Sequence, residues 1–229
     1  MSLSLETRRV GDLMVIKCSG RIVEGPEGTK LKEQVTQVME RWPYIVLDVG
    51  DVQFVDSAGL GLLVRLFTRA QSAHGGLKLC AVSSRLGEVL RATRLQNILE
   101  SYPTESEAIT AFYQPTKPGS QSYGLKSDIL CVDTSDDVVA YVRELLGQAG
   151  YGVTSANNVP DALILLKATR PRLVVVGEGV RAQRDTHSGE MFNRLADQSG
   201  VVEIPSGFSG LEAGEAGRQI LERVQTALK

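Results

Sequence analysis

The stretch whose reading decides the fold runs from Asp48 to Val64, DVGDVQFVDSAGLGLLV. It continues a compact apolar run, Tyr44 to Val49, with the composition of a buried strand. The chain is then expected to leave the strand through a polar loop. It passes a short apolar piece, Phe54-Val55, and reaches Asp56-Ser57-Ala58-Gly59-Leu60-Gly61. From there Leu60, Leu63, Val64, Phe67 and Ala70 recur at helical spacing, which predicts an amphipathic helix. Ser57 falls where an N-cap belongs, since a serine oxygen accepts a bond from an early helix N–H. Gly59 and Gly61 each cost about 1 kcal/mol relative to alanine in a helix interior. A tight turn or the close approach of a partner is expected to need their missing side chains.

Upstream, Leu3 to Val10 and Leu13 to Ser19 read as two short strands, joined by Gly11-Asp12 as a hairpin signal. The stretch Glu24-Gly25-Pro26-Glu27-Gly28 reads as a turn, followed by a helix carrying Leu31, Val35, Val38 and Met39. Trp42-Pro43 ends it, because the residue before a proline is pushed out of helical geometry. Downstream, His74-Gly75-Gly76 stops the second helix, Leu77 to Val82 is a strand, and Leu86, Val89, Leu90 and Ala92 suggest a further helix. Glu105 to Phe112 suggests a last one, with Thr104 as N-cap and Glu107 completing a capping box. The order is β-β-α-β-α-β-α-α.

Gln114 to Ser127, QPTKPGSQSYGLKS, lacks either periodicity and reads as a linker between an N-terminal domain (1–113) and a C-terminal one (128–229). The second half alternates apolar runs and amphipathic stretches. Strands are expected at Asp128 to Asp133, Tyr151 to Ala156, Leu173 to Val176 and Val201 to Ile204. Helices are expected at Val138 to Leu146, Pro160 to Ala168, Met191 to Ala196 and Ala213 to Leu228, with a polar stretch from Glu178 to Glu190. That alternation implies a doubly wound parallel sheet with helices on both faces.

The composition narrows the function classes. A formal net charge of −2 gives no basic footprint for nucleic acid. No apolar run is long enough to span a membrane. Met1 to Val10 shows no apolar segment after its charges, so no signal peptide is read and a cytoplasmic protein is expected. Cys18, Cys80 and Cys131 sit far apart in strand-like runs and read as buried free thiols. The two histidines, His74 and His187, offer little for catalysis or metal binding. Neither half shows a nucleophile–base pair, a P-loop or a metal cluster, so no catalytic residue, cofactor or metal is expected.

The segment Asp56-Ser57-Ala58-Gly59-Leu60-Gly61 resembles the Asp-Ser-Ser-Gly-Leu-Gly signature of STAS domains in anti-sigma-factor antagonists. The strand Tyr44 to Val49, Gly75-Gly76, Leu77 to Val82, Val89 to Leu95 and the closing Glu105 to Phe112 are similar to the family pattern, over about residues 4 to 113. The resemblance implies an α/β fold with a mixed sheet, and it implies a regulatory role. In that family a serine protein kinase of the GHKL type, which is also the anti-sigma factor, phosphorylates the first serine of the signature, here Ser57. The unphosphorylated form binds that partner and releases the sigma factor, and a PP2C-type phosphatase resets the switch. Asp56 to Gly61 would then form the partner-binding patch. Ala58 departs from the signature and leaves Ser57 as its one hydroxyl. A structural scaffold of stacked STAS domains is the alternative.

The second half more loosely resembles a response-regulator receiver domain of flavodoxin-like topology, through Ile129 to Asp133, Leu145 to Val153, Asp161-Ala162-Leu163 and Pro171 to Val176. The phosphoacceptor aspartate of receivers would fall at Gly177, and Asp133, beside Thr134, is what remains of the acidic pair. Asp136 and Asp137 read as solvated helix-start residues. The usual Lys-Pro is missing, and the region after Ile204 is short by a strand and a helix. A degenerate receiver with a protein-binding or chain-pairing role, as in a homodimer, is expected.

Overall fold

The computed structural model describes residues 2–114, 123–181, 183, 186–205, 208 and 213–228. The chain divides into two compact units, Met1–Phe112 and Tyr113–Lys229. Of the expected linker, residues 115–122 lie outside the described residues, and 123–127 form neither helix nor strand.

The first unit is a five-stranded mixed sheet in the order β1-β2-β3-β4-β5. β1 (Ser4–Val10) and β2 (Leu13–Ile22) pair antiparallel, Val10 opposite Leu13, across the two-residue turn Gly11-Asp12. Gly11 has φ 61°, the left-handed geometry such turns require. β3 (Tyr44–Val55), β4 (Gly76–Cys80) and β5 (Ser101–Tyr102) follow in parallel. Between them run α1 (Pro26–Met39), α2 (Ser57–Ser72), α3 (Ser84–Ala92) and α4 (Glu105–Tyr113). The helical stripes Leu31, Val35 and Met39 of α1, Leu63, Leu66 and Ala70 of α2, and Leu86 and Leu90 of α3 join Ile16, Ile45, Leu47 and Leu79 in one core. α4 closes the sheet's other face, where Phe112 meets the Tyr44 ring at 5.7 Å between centroids. Thr104 caps α4 as expected, Oγ1 accepting from the Glu107 N–H at 3.2 Å, but the Glu107 carboxylate accepts from the Thr104 hydroxyl at 3.1 Å and not from the Thr104 backbone N–H that a full capping box uses.

Three expectations are corrected here. β3 does not stop at Val49 but runs unbroken to Val55, where a polar loop was expected. Its pairing with β2 absorbs the polar residues through two register shifts, between Lys17 and Ser19 and between Gly20 and Arg21 of β2. Each places an extra residue on β3, so the strand stays paired while its twist changes. The Glu24-to-Gly28 turn is half helix: Pro26 opens α1, where its missing N–H costs nothing, after Gly25 at φ 103°. A short strand, β5, was not expected at all, because two residues carry no readable periodicity.

The second unit is a four-stranded parallel sheet ordered β7-β6-β8-β9. Its strands are β6 (Ile129–Val132), β7 (Val153–Ala156), β8 (Leu173–Val176) and β9 (Gly200–Glu203). α5 (Asp136–Gln148) and α9 (Ala213–Ala227) bury Val138, Val142, Leu146, Ile220 and Val224 against Ile129, Cys131, Leu173 and Val175 on one face. The alternate strand residues Leu130, Val132, Val174 and Val176 are buried as well and point to the opposite face. There α6 (Val159–Thr169) lies against β6 and β7 and packs on α8 (His187–Ala196). Asp136 and Asp137 sit in the first turn of α5, as expected, and Ser135 caps it. The polar stretch is in part helical: α7 (Glu178–Arg181) precedes α8, which begins at His187 instead of Met191. Thr186, capping α8 through the Gly189 N–H at 3.0 Å, explains that earlier start. Residues 182, 184 and 185 of that stretch, and 206–207 and 209–212 after Ile204, lie outside the described residues.

Candidate functional site

The Asp56–Gly61 segment lies where β3 hands over to α2, and its roles differ from the sequence reading in one respect. The N-cap is Asp56, not Ser57. Asp56 Oδ1 accepts from the Gly59 N–H at 2.6 Å, and Oδ2 accepts from the Glu24 N–H at 3.2 Å. A carboxylate reaches two donors at once where a serine hydroxyl reaches one, and it meets the positive end of the helix dipole as an anion. The N–H groups of Gly59 and Glu24 hold the Asp56 carboxyl below its ordinary value of 3.8. Ser57 becomes the first helical residue, exposed, and its hydroxyl has no hydrogen-bond partner among the described residues.

The two glycines separate. A Cβ on Gly59 would lie 2.1 Å from the Ile22 carbonyl oxygen and 3.0 Å from Val55 Cγ1. Gly59 is therefore the point where α2 presses onto the end of β2, and it is buried. A Cβ on Gly61 would meet only the end of the Arg65 side chain, at 3.3 Å, so nothing within the domain requires that glycine. Leu60, expected in a docking patch, is buried in the core. The patch that faces solvent consists of exposed Ser57 flanked by half-buried Asp56, Ala58 and Gly61.

Sequence reasoning missed the residues that reach this place from β2 and the loop after it. Ile22 accepts the Asp56 N–H at 3.3 Å and supplies the wall against Gly59; Glu24 supplies the second donor to Asp56. They stand more than thirty residues upstream and are brought to the site by the parallel pairing of Ile22 with Val55. Phe54 is also notable, 40% exposed, with the Arg21 and Arg85 guanidiniums 5.4 and 6.0 Å from its ring centre.

In the second unit Asp133 is buried at the end of β6 and accepts from the Ser135 N–H at 2.7 Å. A Cβ on Gly177, at the end of β8, would fall 1.4 Å from Asp133 Oδ2. The aspartate side chain thus fills the space a residue at 177 would use. The described residues contain no group of three or more His, Cys, Asp or Glu placed to hold a metal ion. Cys18, Cys80 and Cys131 are free and buried, and burial pushes each thiol up to about 12. No described helix is long and apolar enough to cross a membrane.

Residues 4–108 match the model of the STAS domain family, almost the whole first unit. Among curated proteins the chain is similar to an anti-sigma F factor antagonist of Paenibacillus polymyxa, 24% identical over 112 residues, which are 48% of this chain and 95% of that relative. It is also similar to Protein Rrf1 of Nitratidesulfovibrio vulgaris, 31% identical over 88 residues, 37% of this chain and 62% of that relative's length. Two solved structures are similar over the same share of the chain. An anti-sigma factor antagonist from Mycobacterium paratuberculosis has 23% identity, covers 48% of this chain and 93% of its own, and has a TM-score of 0.44. The Bacillus cell fate determinant SpoIIAA in its phosphorylated form has 20% identity, 47% and 96% coverage and a TM-score of 0.39.

Proposed function

We propose that the chain is a cytoplasmic anti-sigma factor antagonist, a binding protein and not an enzyme, switched by phosphorylation of Ser57. The observation that carries this reading is Ser57 itself. It is exposed on the first turn of α2, its hydroxyl is unengaged among the described residues, and it lies in a segment that resembles a phosphoacceptor signature. The partner is a GHKL-type serine protein kinase that also serves as the anti-sigma factor, and a PP2C-type phosphatase restores the serine.

The physics of the switch follows from rigidity. Asp56 ties the loop after β2 to α2, and Gly59 seats the helix on β2, so the site is built before any modification. A phosphate on Ser57 adds a charge of about −1.5 to −2 beside the Asp56 carboxylate. The N-terminus of α2 tolerates that anion. A partner surface packed on Ser57, Ala58 and Gly61 does not, because it would bury the charge. Modification thus changes what docks and leaves the fold alone. The second unit, with its parallel sheet ordered β7-β6-β8-β9, is a degenerate receiver-like domain that pairs chains or holds a partner and accepts no phosphate.

The test is mass spectrometry of the full chain after incubation with the kinase and magnesium ATP. One phosphate on Ser57, absent from Ser57→Ala, is expected; phosphate elsewhere with Ser57 unmodified overturns the reading. By calorimetry Ser57→Asp should bind the kinase more weakly than Ser57→Ala, and equal affinities would remove the switch.

A further inference from the structure

β4 leaves β3 early. The two strands pair only from Tyr44 to Asp48 of β3, and Ala81, the residue after β4, sits at φ 53°. Alanine rarely adopts that left-handed geometry, so the chain is turned off the sheet at a local cost. β3 runs on to Val55 with a strand on its β2 side alone. Its other edge, from Val52 to Val55, opens on a cleft of about 110 Å³ whose far wall is Arg85, Leu86 and Val89 of α3. Among the described residues no backbone bond joins Val52, Phe54 or Val55 to that wall. The segment Val52-Gln53-Phe54-Val55 carries neither a charge nor a proline, two of the usual guards of an open edge. Phe54, 40% exposed, lies on it with the Arg21 and Arg85 guanidiniums 5.4 and 6.0 Å from its ring centre. Neither arginine forms an ion pair among the described residues, whereas Arg8, Lys17, Lys78 and Arg181 each do.

We propose that the Val52–Val55 edge takes an extended acidic segment of a partner protein as an added strand; the inference rests on the antagonist reading and names the element by which the partner grips. The backbone selects that occupant. Unpaired N–H and C=O groups along a strand edge are met by another extended chain, which a helix, with its backbone bonds used internally, cannot offer. The cleft beside the edge sets the side chain: a cavity of about 150 Å³ holds benzene, so this smaller one takes a single aliphatic group of the added strand. The charge sets its neighbours, because acids on the segment meet Arg21 on the β2 side of Phe54 and Arg85 on the α3 side. An exposed aromatic between two arginines also has the composition that anchors protein interfaces. The bulged ladder with β2 keeps the available stretch to four residues, so one short segment pairs there and an open-ended stack does not. Ser57 stands two residues beyond Val55, so the added strand lies next to the modified turn.

The probe is a fluorescein-labelled peptide of about eight residues alternating glutamate and valine. It is compared with the same peptide N-methylated throughout, which cannot donate to an edge, and with a version carrying lysine for glutamate. Anisotropy with the full chain at low salt should give the glutamate peptide at least about tenfold tighter binding than either control. Amide exchange at Val52–Val55 should slow about tenfold when the peptide stands at ten times its Kd. Arg21→Glu/Arg85→Glu should invert the preference toward the lysine peptide, with circular dichroism confirming the fold, since both arginines are exposed. No binding, equal binding of the N-methylated peptide, unchanged exchange at Val52–Val55, or a preference untouched by the double variant overturns the proposal. So does sedimentation showing a dimer of this chain that the double variant dissolves, because the occupant is then a second copy. Peptide binding needs no phosphate on Ser57, so an unmodified Ser57 with intact peptide binding would sink the switch alone, and the converse would sink the added strand alone.

Discussion

Gly59 and Gly61 occupy the same turn of α2, and alanine at each should act with opposite sign. At Gly59 the added methyl would stand 2.1 Å from the Ile22 carbonyl oxygen and 2.9 Å from its carbon. Ordinary carbon–oxygen contacts begin near 3.3 Å, so the helix start must move off β2 by about 1 Å. Those atoms are backbone, which cannot rotate away. Overpacking of this kind costs about 1–3 kcal/mol. The shift also stretches the 2.6 Å cap bond from Gly59 to Asp56, and losing a cap costs about 1 kcal/mol more. Alanine returns up to about 1 kcal/mol of helix propensity. The net expectation for Gly59→Ala is a loss of about 2 kcal/mol. At Gly61 the methyl meets only a mobile guanidinium, so propensity wins and Gly61→Ala should be neutral or stabilising by up to about 1 kcal/mol. Trp42 is the chain's one tryptophan and belongs to the first unit, so its fluorescence in urea follows that unit. With a slope of about 2 kcal/mol per molar, Gly59→Ala should lower the midpoint by about 1 M. A Gly59→Ala midpoint at or above wild type would refute the account of why α2 starts with glycine.

The Asp56 carboxyl is depressed on folding, so its contribution to stability is present above the ordinary value of 3.8 and fades as pH falls through the folded value. Wild type should therefore be more stable than Asp56→Asn at pH 7, and urea titrations at descending pH should show the gap closing below about pH 4. Lys78, 1% exposed on β4, is paired with Glu100 and bonded to the Tyr102 hydroxyl at 3.4 Å. Lys78→Ala should cost about 3 kcal/mol by urea unfolding, and Lys78→Met/Glu100→Gln should recover most of it, because a buried pair is replaceable but half of one is not. Gly177→Asp forces a side chain into the volume of Asp133, whose Oδ2, Cγ and Cβ all lie within 2.8 Å of the added Cβ. It should lower the melting temperature of the second unit by circular dichroism. The wild-type chain should gain no mass from acetyl phosphate and magnesium.

What could be read from the sequence was whatever repeats within a few residues. The stripes Leu31-Val35 and Leu63-Ala70, the hairpin at Gly11-Asp12 and the Thr104 cap of α4 all advertise themselves over one or two turns, and each stands where its pattern put it. What stayed hidden depends on distant pairing. β3 reads as ending at Val49 because Gly50, Asp51 and Gln53 are poor strand residues, yet β2 holds them in a bulged ladder. The exchange of Asp56 for Ser57 as cap has the same origin, since Oδ2 earns its place through Glu24, more than thirty residues upstream. Lys78 gave no warning of burial, because its partners Tyr102 and Glu100 lie in and just before a strand too short to recognise.

β3 outruns its neighbour. Its ladder with β4 ends at Asp48, while its ladder with β2 continues to Val55. Seven residues of β3 therefore extend past the last rung on one side, making a cantilever of two strands with α2 rooted at its tip. A beam fixed at one end bends where its ladder is single and bulged, so thermal openings should concentrate there and not in the clamped portion from Tyr44 to Asp48. The loop–helix corner at Asp56 then behaves as a latch at the free end, with the Glu24 and Gly59 bonds as its two pins. The turn that carries Ser57 is thereby mounted on the part of the domain that yields most easily, while the core under it stays still.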